Sequence, residues 1–158
     1  MKAWTEEEFS YEGKHHKIEN LTVRPAPIQK PTPPLWIGAS APVSARRAAN
    51  IADAIVTTPS TTLDNTVKLI DQYKTAAAAA GKTPVPVIMR DAWVANSRKE
   101  AEEVYGPEVM AAYKYYWQNG LSEFKSIKDE SELTLDRVAK DRLIMGDTEE
   151  CLTEFQRW

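Results

Sequence analysis

The 158-residue chain has one cysteine, Cys151, and two histidines, His15 and His16. A single thiol excludes an internal disulfide and a cysteine-rich metal site. Two glutamates precede Cys151 and disfavour its thiolate, so it reads as structural. Adjacent histidines in an extended segment point to opposite sides, and no Asp, Glu or His stands at ligand spacing from them. They read as surface residues after a turn, and no metal is expected. Long apolar runs are also missing: none approaches the ~20 residues that span a bilayer. Met1–Glu8 has no apolar core to act as a signal peptide. A net charge of −3 gives no electrostatic reason to expect nucleic acid or an anionic membrane as partner. The expectation is a soluble, cytoplasmic protein long enough for one domain.

Proline, by contrast, is concentrated. Six of the ten prolines fall between positions 25 and 42. Proline lacks an N–H and fixes φ, so residues 25–34 are expected to form a stiff extended arm without helix or central strand. Leu35-Trp36-Ile37 follows as a buried strand, then Gly38-Ala39-Ser40, then Pro42 and an alanine- and arginine-rich helix. Ser40 is placed to cap that helix.

Upstream, residues 1–9 read as the tail of a helix, 11–14 as a turn and 18–23 as extended. Downstream, 54–56 reads as a short buried strand. Leu63, Val67, Ile70, Tyr73 and Ala77 recur at helical spacing and predict a helix over 61–80, stopped by Gly81. The run 85–95 is apolar almost throughout and predicts a strand covered on both faces. Ser97 and Glu100 match a capping box. The following helix should kink or break at Gly106-Pro107 and end at Asn119-Gly120. Residues 121–132 read as loop, 134–144 as a short helix, and Gly146–Glu150 as the opening of a last one. Strand–helix alternation argues for parallel strands, with 35–38, 54–57 and 86–95 in that order across the sheet.

These residues resemble the C-terminal half of the luciferase-like, flavin-dependent oxidoreductases, the family of bacterial luciferase. The resemblance is carried by Phe9-Ser10-Tyr11-Glu12-Gly13, the arm Pro25 to Pro34, Leu35 to Ser40, Arg46 to Asn50 and Ala52-Asp53-Ala54. Val94-Ala95 with Ser97 to Ala101, and Gly146 to Glu150, continue it. No single motif is specific; their order and spacing over positions 4–155 carry the match. The family fold is a TIM barrel, so the resemblance implies an α/β chain forming a partial TIM (β/α)8 barrel, about three parallel β/α units with extra helices. It implies a C-terminal-half fragment of one incomplete barrel domain over 1–158. In that domain 1–34 is a helix end and arm, 35–118 the β/α units, and 119–158 a loop and C-terminal helices.

The resemblance further implies a flavin-dependent oxidoreductase or monooxygenase using reduced FMN or a deazaflavin coenzyme on a small organic substrate. Catalysis would be oxygen insertion in FMN members or hydride transfer in deazaflavin members, with the isolated fragment inactive. Gly38, Ala39 and Ser40 would cradle the cofactor phosphate, at a strand end and a helix N-terminus. Asp53 and Ala54 fall on the family's Ala-Asp-Gly, where Ala54 replaces the usual glycine; Asp53 alternatively caps or pairs at the start of its strand. An ordinary tight strand–helix turn is the other reading of 38–40. Arg90-Asp91, inside an apolar run, reads as a structural ion pair, with an anion-holding arginine as the alternative. The aromatic cluster 113–117 reads as helix packing before a stacking platform, and a homodimer of the full-length parent is a further option. The rival functions are a truncated, non-catalytic flavin or phosphate binder and a partial reading frame with no function of its own.

Overall fold

In the computed structural model, which describes residues 1–158, Met1–Leu35 forms one unit and Trp36–Trp158 another. The first unit begins with a helix, α1 (Lys2–Thr5), then strands β1 (Phe9–Glu12) and β2 (Lys17–Leu21) paired antiparallel, Tyr11 opposite Ile18. The expected helix tail over 1–9 therefore stops at Thr5. Glu6, Glu7 and Glu8 repel along a helix, whereas Phe9 and Tyr11 alternate with polar residues at the period of a strand. Tyr11 and Glu12 belong to β1 rather than to a turn; the turn begins at Gly13, whose N–H donates to His16 O at 2.9 Å. Residues 25–34 hold no helix or strand, as proline dictates. They are not one continuous extended arm: the chain bends at 24–25 and 28–31, and the peptide bonds before Pro25 and Pro31 are cis.

The second unit opens with β3 (Trp36–Ala39), α2 (Pro42–Ile51), β4 (Ala54–Thr57), α3 (Leu63–Ala79) and β5 (Pro86–Val87). Its three strands form a parallel sheet in the order β3-β4-β5, the order and direction that strand–helix alternation predicts. Ala45, Ala48, Ala49 and Ala52 are buried; side chains this small let α2 sit close on the sheet and against α3. Leu69, Ile70, Tyr73 and Ala77 are the buried face of α3, and Gly81 closes it with φ +68°. Ser40 does not cap α2. The cap is Ala41, whose N–H donates to Ser44 Oγ while Pro42 occupies the first turn.

The pleat sorts the sheet's two faces. Ala39, Ile55 and Thr57 point to the helices and are buried. Gly38, Val56 and Val87 share the other face with Trp36, which opens β3 but is 54% exposed, correcting the expected buried strand.

Residues 85–95 do not form one strand. They split into β5 and β6 (Ala92–Val94), and β6 pairs in parallel with β7 (Ile144–Gly146), Trp93 opposite Met145. Arg90 and Asp91 interrupt the run because both turn to polar partners, and β6 is exposed rather than covered on both faces. Strand β7 falls where the sequence predicts the end of one helix and the opening of the next; its three residues are wholly buried.

Helix α4 (Arg98–Gln118) starts where Ser97 Oγ accepts Glu100 N–H at 3.2 Å. Of the kink or break expected at Gly106-Pro107, the break does not occur and the helix runs through: Pro107 lies on the exposed side, and buried Gly106 faces Leu135. Single 3-10 turns at Ser122–Phe124 and Glu130–Glu132 lead to α5 (Leu135–Ala139), β7 and α6 (Thr148–Arg157). Val109, Tyr113, Phe124, Val138, Leu143 and Met145 are the centre of the core that α4 closes. No helix is long and apolar enough to cross a membrane.

Candidate functional site

Because β3 and β4 run parallel in register, Ala39 beside Thr57, their C-terminal ends lie level. Each is followed by a short loop into a helix: 40–41 into α2 and 58–62 into α3. Between these loops opens a cleft of about 270 Å³, lined by Ser40, Pro42, Thr61, Asn65, Lys68, Leu69, Gln72, Ser122 and Glu123. The positive end of the α2 dipole points into this region, and Lys68 adds a full charge. Glu123 is the one carboxylate in the lining, and its oxygens already accept from Thr61 Oγ1 (3.4 Å) and Ser122 Oγ (2.8 Å). Three hydroxyls, two of them turned to Glu123, with two side-chain amides and an ammonium give the cleft donors that can bind oxygen acceptors.

Of the residues singled out in the sequence, Ser40 lines the cleft, and Gly38 and Ala39 lead into it along β3. Ala39 is buried on the helix face. Gly38 is exposed on the other, and a Cβ built there meets nothing within 4 Å. No packing in this chain demands that glycine, so the space above it is free for a ligand. Asp53 and Ala54 are not brought to the same place. Ala54 pairs with Trp36 at the start of β4, and Thr57 lies three residues on, roughly 10 Å along a strand.

Thr61, Asn65, Lys68 and Gln72 were not singled out in the sequence. The signal of Asn65, Lys68 and Gln72 was a polar stripe at i, i+3 and i+7 on the solvent side of α3, whereas Thr61 is buried ahead of the helix. Such a stripe is the ordinary outer face of an amphipathic helix and gains meaning only once α2 and the 122–123 turn stand across from it.

Behind the 58–62 loop lies a second polar cluster. Arg90 donates from Nη1 to Pro59 O (2.8 Å) and Thr61 O (2.5 Å), and from Nη2 to Thr66 Oγ1 (2.7 Å). Its guanidinium lies 3.6 Å from the centre of the Trp158 ring. It makes no ion pair with Asp91, contrary to the expected structural pair. Asp91 Oδ2 instead accepts from Tyr113 Oη at 3.3 Å. Burial pulls the Arg90 guanidinium down to about 10, against the opposing pull of Tyr113 and Asp91, so it remains a cation at neutral pH. Burial, and then Asp91, push the Tyr113 phenol well above its ordinary range. Two buried polar atoms have no partner, Thr57 Oγ1 and Arg90 Nε. Arg142 Nε donates to Ser60 O at 2.7 Å. The aromatic cluster divides: Tyr113 is buried and Trp117 Nε1 donates to Ile127 O, while Tyr115 and Tyr116 are exposed. His15 and His16 are exposed in the turn between β1 and β2.

An α/β chain of parallel β/α units, with a polar cleft of about 270 Å³ at its strand ends, is the class that fold and site define. The chain belongs to the luciferase-like monooxygenase family, whose model matches residues 1–155. It is 33% identical over 81 residues, 51% of this chain, to the F420-dependent glucose-6-phosphate dehydrogenase of Microbacterium testaceum, covering 24% of that protein. It is 27% identical over 78 residues, 49% of this chain, to the FMNH2-dependent dimethylsulfone monooxygenase of Pseudomonas putida, covering 21% of it. In fold it is similar to the monooxygenase RslO1 from Streptomyces bottropensis, with a TM-score of 0.74 at 23% identity, over 98% of this chain and 46% of that one. The expectation of a C-terminal-half fragment is corrected by these matches, which run over nearly the whole of the 158 residues. The chain spans just under half the length of the solved protein it matches. Both cofactor classes expected from the sequence, FMN and the deazaflavin F420, occur among these relatives.

Proposed function

We propose that this chain supplies a cofactor phosphate site to a flavin- or deazaflavin-dependent oxidoreductase acting on a small organic substrate. The observation that carries the reading is the cleft at the ends of β3 and β4, where Ser40, the α2 N-terminus, Asn65 and Lys68 converge. Ser40 Oγ and the Asn65 amide would donate to phosphate oxygens and Lys68 would balance their charge; Gly38 and Ala39 lead into the loop along β3 without lining the cleft. Asp53 and Ala54, at the other end of β4, are given no contact with that phosphate. The bound coenzyme would supply the redox chemistry; the residues here bind and orient it. Lys68 and Glu123 are the titratable groups in the cleft, and neither is arranged as a general acid–base pair, so the chain alone is expected to be catalytically silent. The parallel β3-β4-β5 arc and the β6–β7 pair are read as staves of a partial (β/α)8 barrel within one domain, a reading supported by their direction and order.

Ser40→Ala tests the site directly. Ser40 is exposed and does not cap α2, so the fold should persist while the cleft loses one donor. Titration of FMN and of inorganic phosphate into wild type, Ser40→Ala and Lys68→Met should show each variant weakened by roughly three- to tenfold, with circular dichroism unchanged. Equal affinities in the folded proteins, or no binding by wild type, would remove the assignment.

A further inference from the structure

The loop 58–62 is held from behind by two arginines that meet no carboxylate there. Arg90 takes the carbonyls of Pro59 and Thr61, and Arg142 takes the carbonyl of Ser60 lying between them. Three consecutive carbonyls are thereby captured by two guanidinium groups. In a trans peptide the N–H points opposite its carbonyl, so fixing three carbonyls also fixes the direction of the amide donors of Ser60, Thr61 and Thr62. Arg90 is braced on both sides: Nη2 donates to Thr66 Oγ1 in the first turns of α3, and its flat face lies against the Trp158 ring. Arg142 is braced against the Phe124 ring, 5.5 Å away, next to Glu123 in the chain. Thr61 is therefore tied twice, by its carbonyl to Arg90 and by its hydroxyl to Thr58 and Glu123.

We infer that Arg90 and Arg142 are positioning residues for the anion cleft: they clamp the carbonyls of residues 59–61 and so hold Thr61 in its wall. This rests on the phosphate-site reading above and adds to it the pair that shapes the site without touching the ligand. Arginine suits the task because its planar donors hold several acceptors in fixed directions, as Arg90 does with two carbonyls on Nη1 and Thr66 Oγ1 on Nη2, whereas a lysine ammonium concentrates its charge at one point.

The test uses the whole chain and the variants Arg90→Lys and Arg142→Lys, which keep the charge. Amide hydrogen exchange of Ser60, Thr61 and Thr62 reads the clamp, exchange in β7 serves as internal control, and titration with inorganic phosphate and with FMN reads the cleft. Each lysine variant should exchange faster by about tenfold at 60–62 with β7 unchanged, and should lose about tenfold in affinity for both ligands. Unchanged exchange at 60–62 overturns the clamp. Faster exchange with unchanged affinity overturns its role in the cleft. If wild type binds neither ligand, the phosphate site itself fails, and loosened loops in the variants would then mark the arginines as purely structural. Unfolding of both lysine variants would likewise assign them to global stability and end the proposal.

Discussion

At position 146 a Cβ would lie 2.9 Å from Glu150 Cβ and 3.0 Å from its Cδ, in a backbone with φ +149° that L side chains rarely adopt. Glu150 has no freedom to retreat. Its carboxylate accepts Asp147 N–H at 2.9 Å, and its own N–H donates to Asp147 Oδ1 at 2.9 Å, the reciprocal cap that starts α6. Gly146→Ala should therefore cost about 1–3 kcal/mol in urea denaturation, from backbone strain plus a disturbed cap. Placing the same substitution in a Glu150→Gly background, which removes the Cβ and the carboxylate together, separates the two. The cost should fall, and a cost that stays the same would show that the contact with Glu150 plays no part. The pairing of a glycine with a glutamate four residues on was visible in the sequence, but its cause was not. Residues of the cleft divide in the same way. Ser40 was legible because small residues between a strand and a proline-led helix announce a turn. Thr61 and Lys68 were not, because what brings them into the cleft is the helix and turn standing opposite, and no local pattern reports that.

Among the elements, α4 carries a proline inside a 21-residue helix. Pro107 offers no N–H to the turn before it, and its ring crowds the carbonyl of Glu103, which costs roughly 3 kcal/mol in an ordinary helix interior. Proline also restricts the unfolded chain, returning roughly 0.4–1 kcal/mol. Pro107→Ala, at an exposed position, should then raise stability by about 2 kcal/mol, seen as a higher urea midpoint at unchanged slope. No gain would mean that the helix has already relaxed around the ring. Gly106→Ala makes a contrast: its Cβ would stand 3.1 Å from Leu135 Cδ2, so the gain in helix propensity is opposed by crowding against α5. Elements with a clear local signal were readable from sequence: α3 by its helical period, and β3 and β4, with their direction, as apolar runs alternating with helices. Those that failed were decided by distant partners. Strand β7 is three residues long and becomes a strand only by lying beside β6. Pro107 reads as a breaker, yet the helix continues because Ala101, Val109 and Tyr113 on its buried side still join one core.

For the whole molecule, burial is distributed very unevenly between the two units. In Met1–Leu35 the one buried residue is Phe9, worth about 1.5–3 kcal/mol if fully buried. The hairpin of β1 and β2 is otherwise half-buried or exposed, and a two-stranded ribbon is at best marginally stable alone. Trp36–Trp158 holds the rest of the buried residues, with Tyr113, Phe124, Ile144 and Met145 at 1% exposure or less. Opening of the hairpin should therefore be cheap and independent of global unfolding, a low-stability unit beside a high-stability one. Native-state hydrogen exchange across a urea series should show it. Amides of 9–21 should exchange through openings of about 0–2 kcal/mol that barely respond to urea, because little surface is exposed. Amides of Val138, Met145 and Tyr113 should exchange only through global unfolding, with a steep urea dependence. Phe9→Ala should speed the first set and leave the second unchanged. If 9–21 instead shares the protection and the urea slope of Met145, the chain unfolds as one cooperative body and the division at position 35 has no energetic meaning.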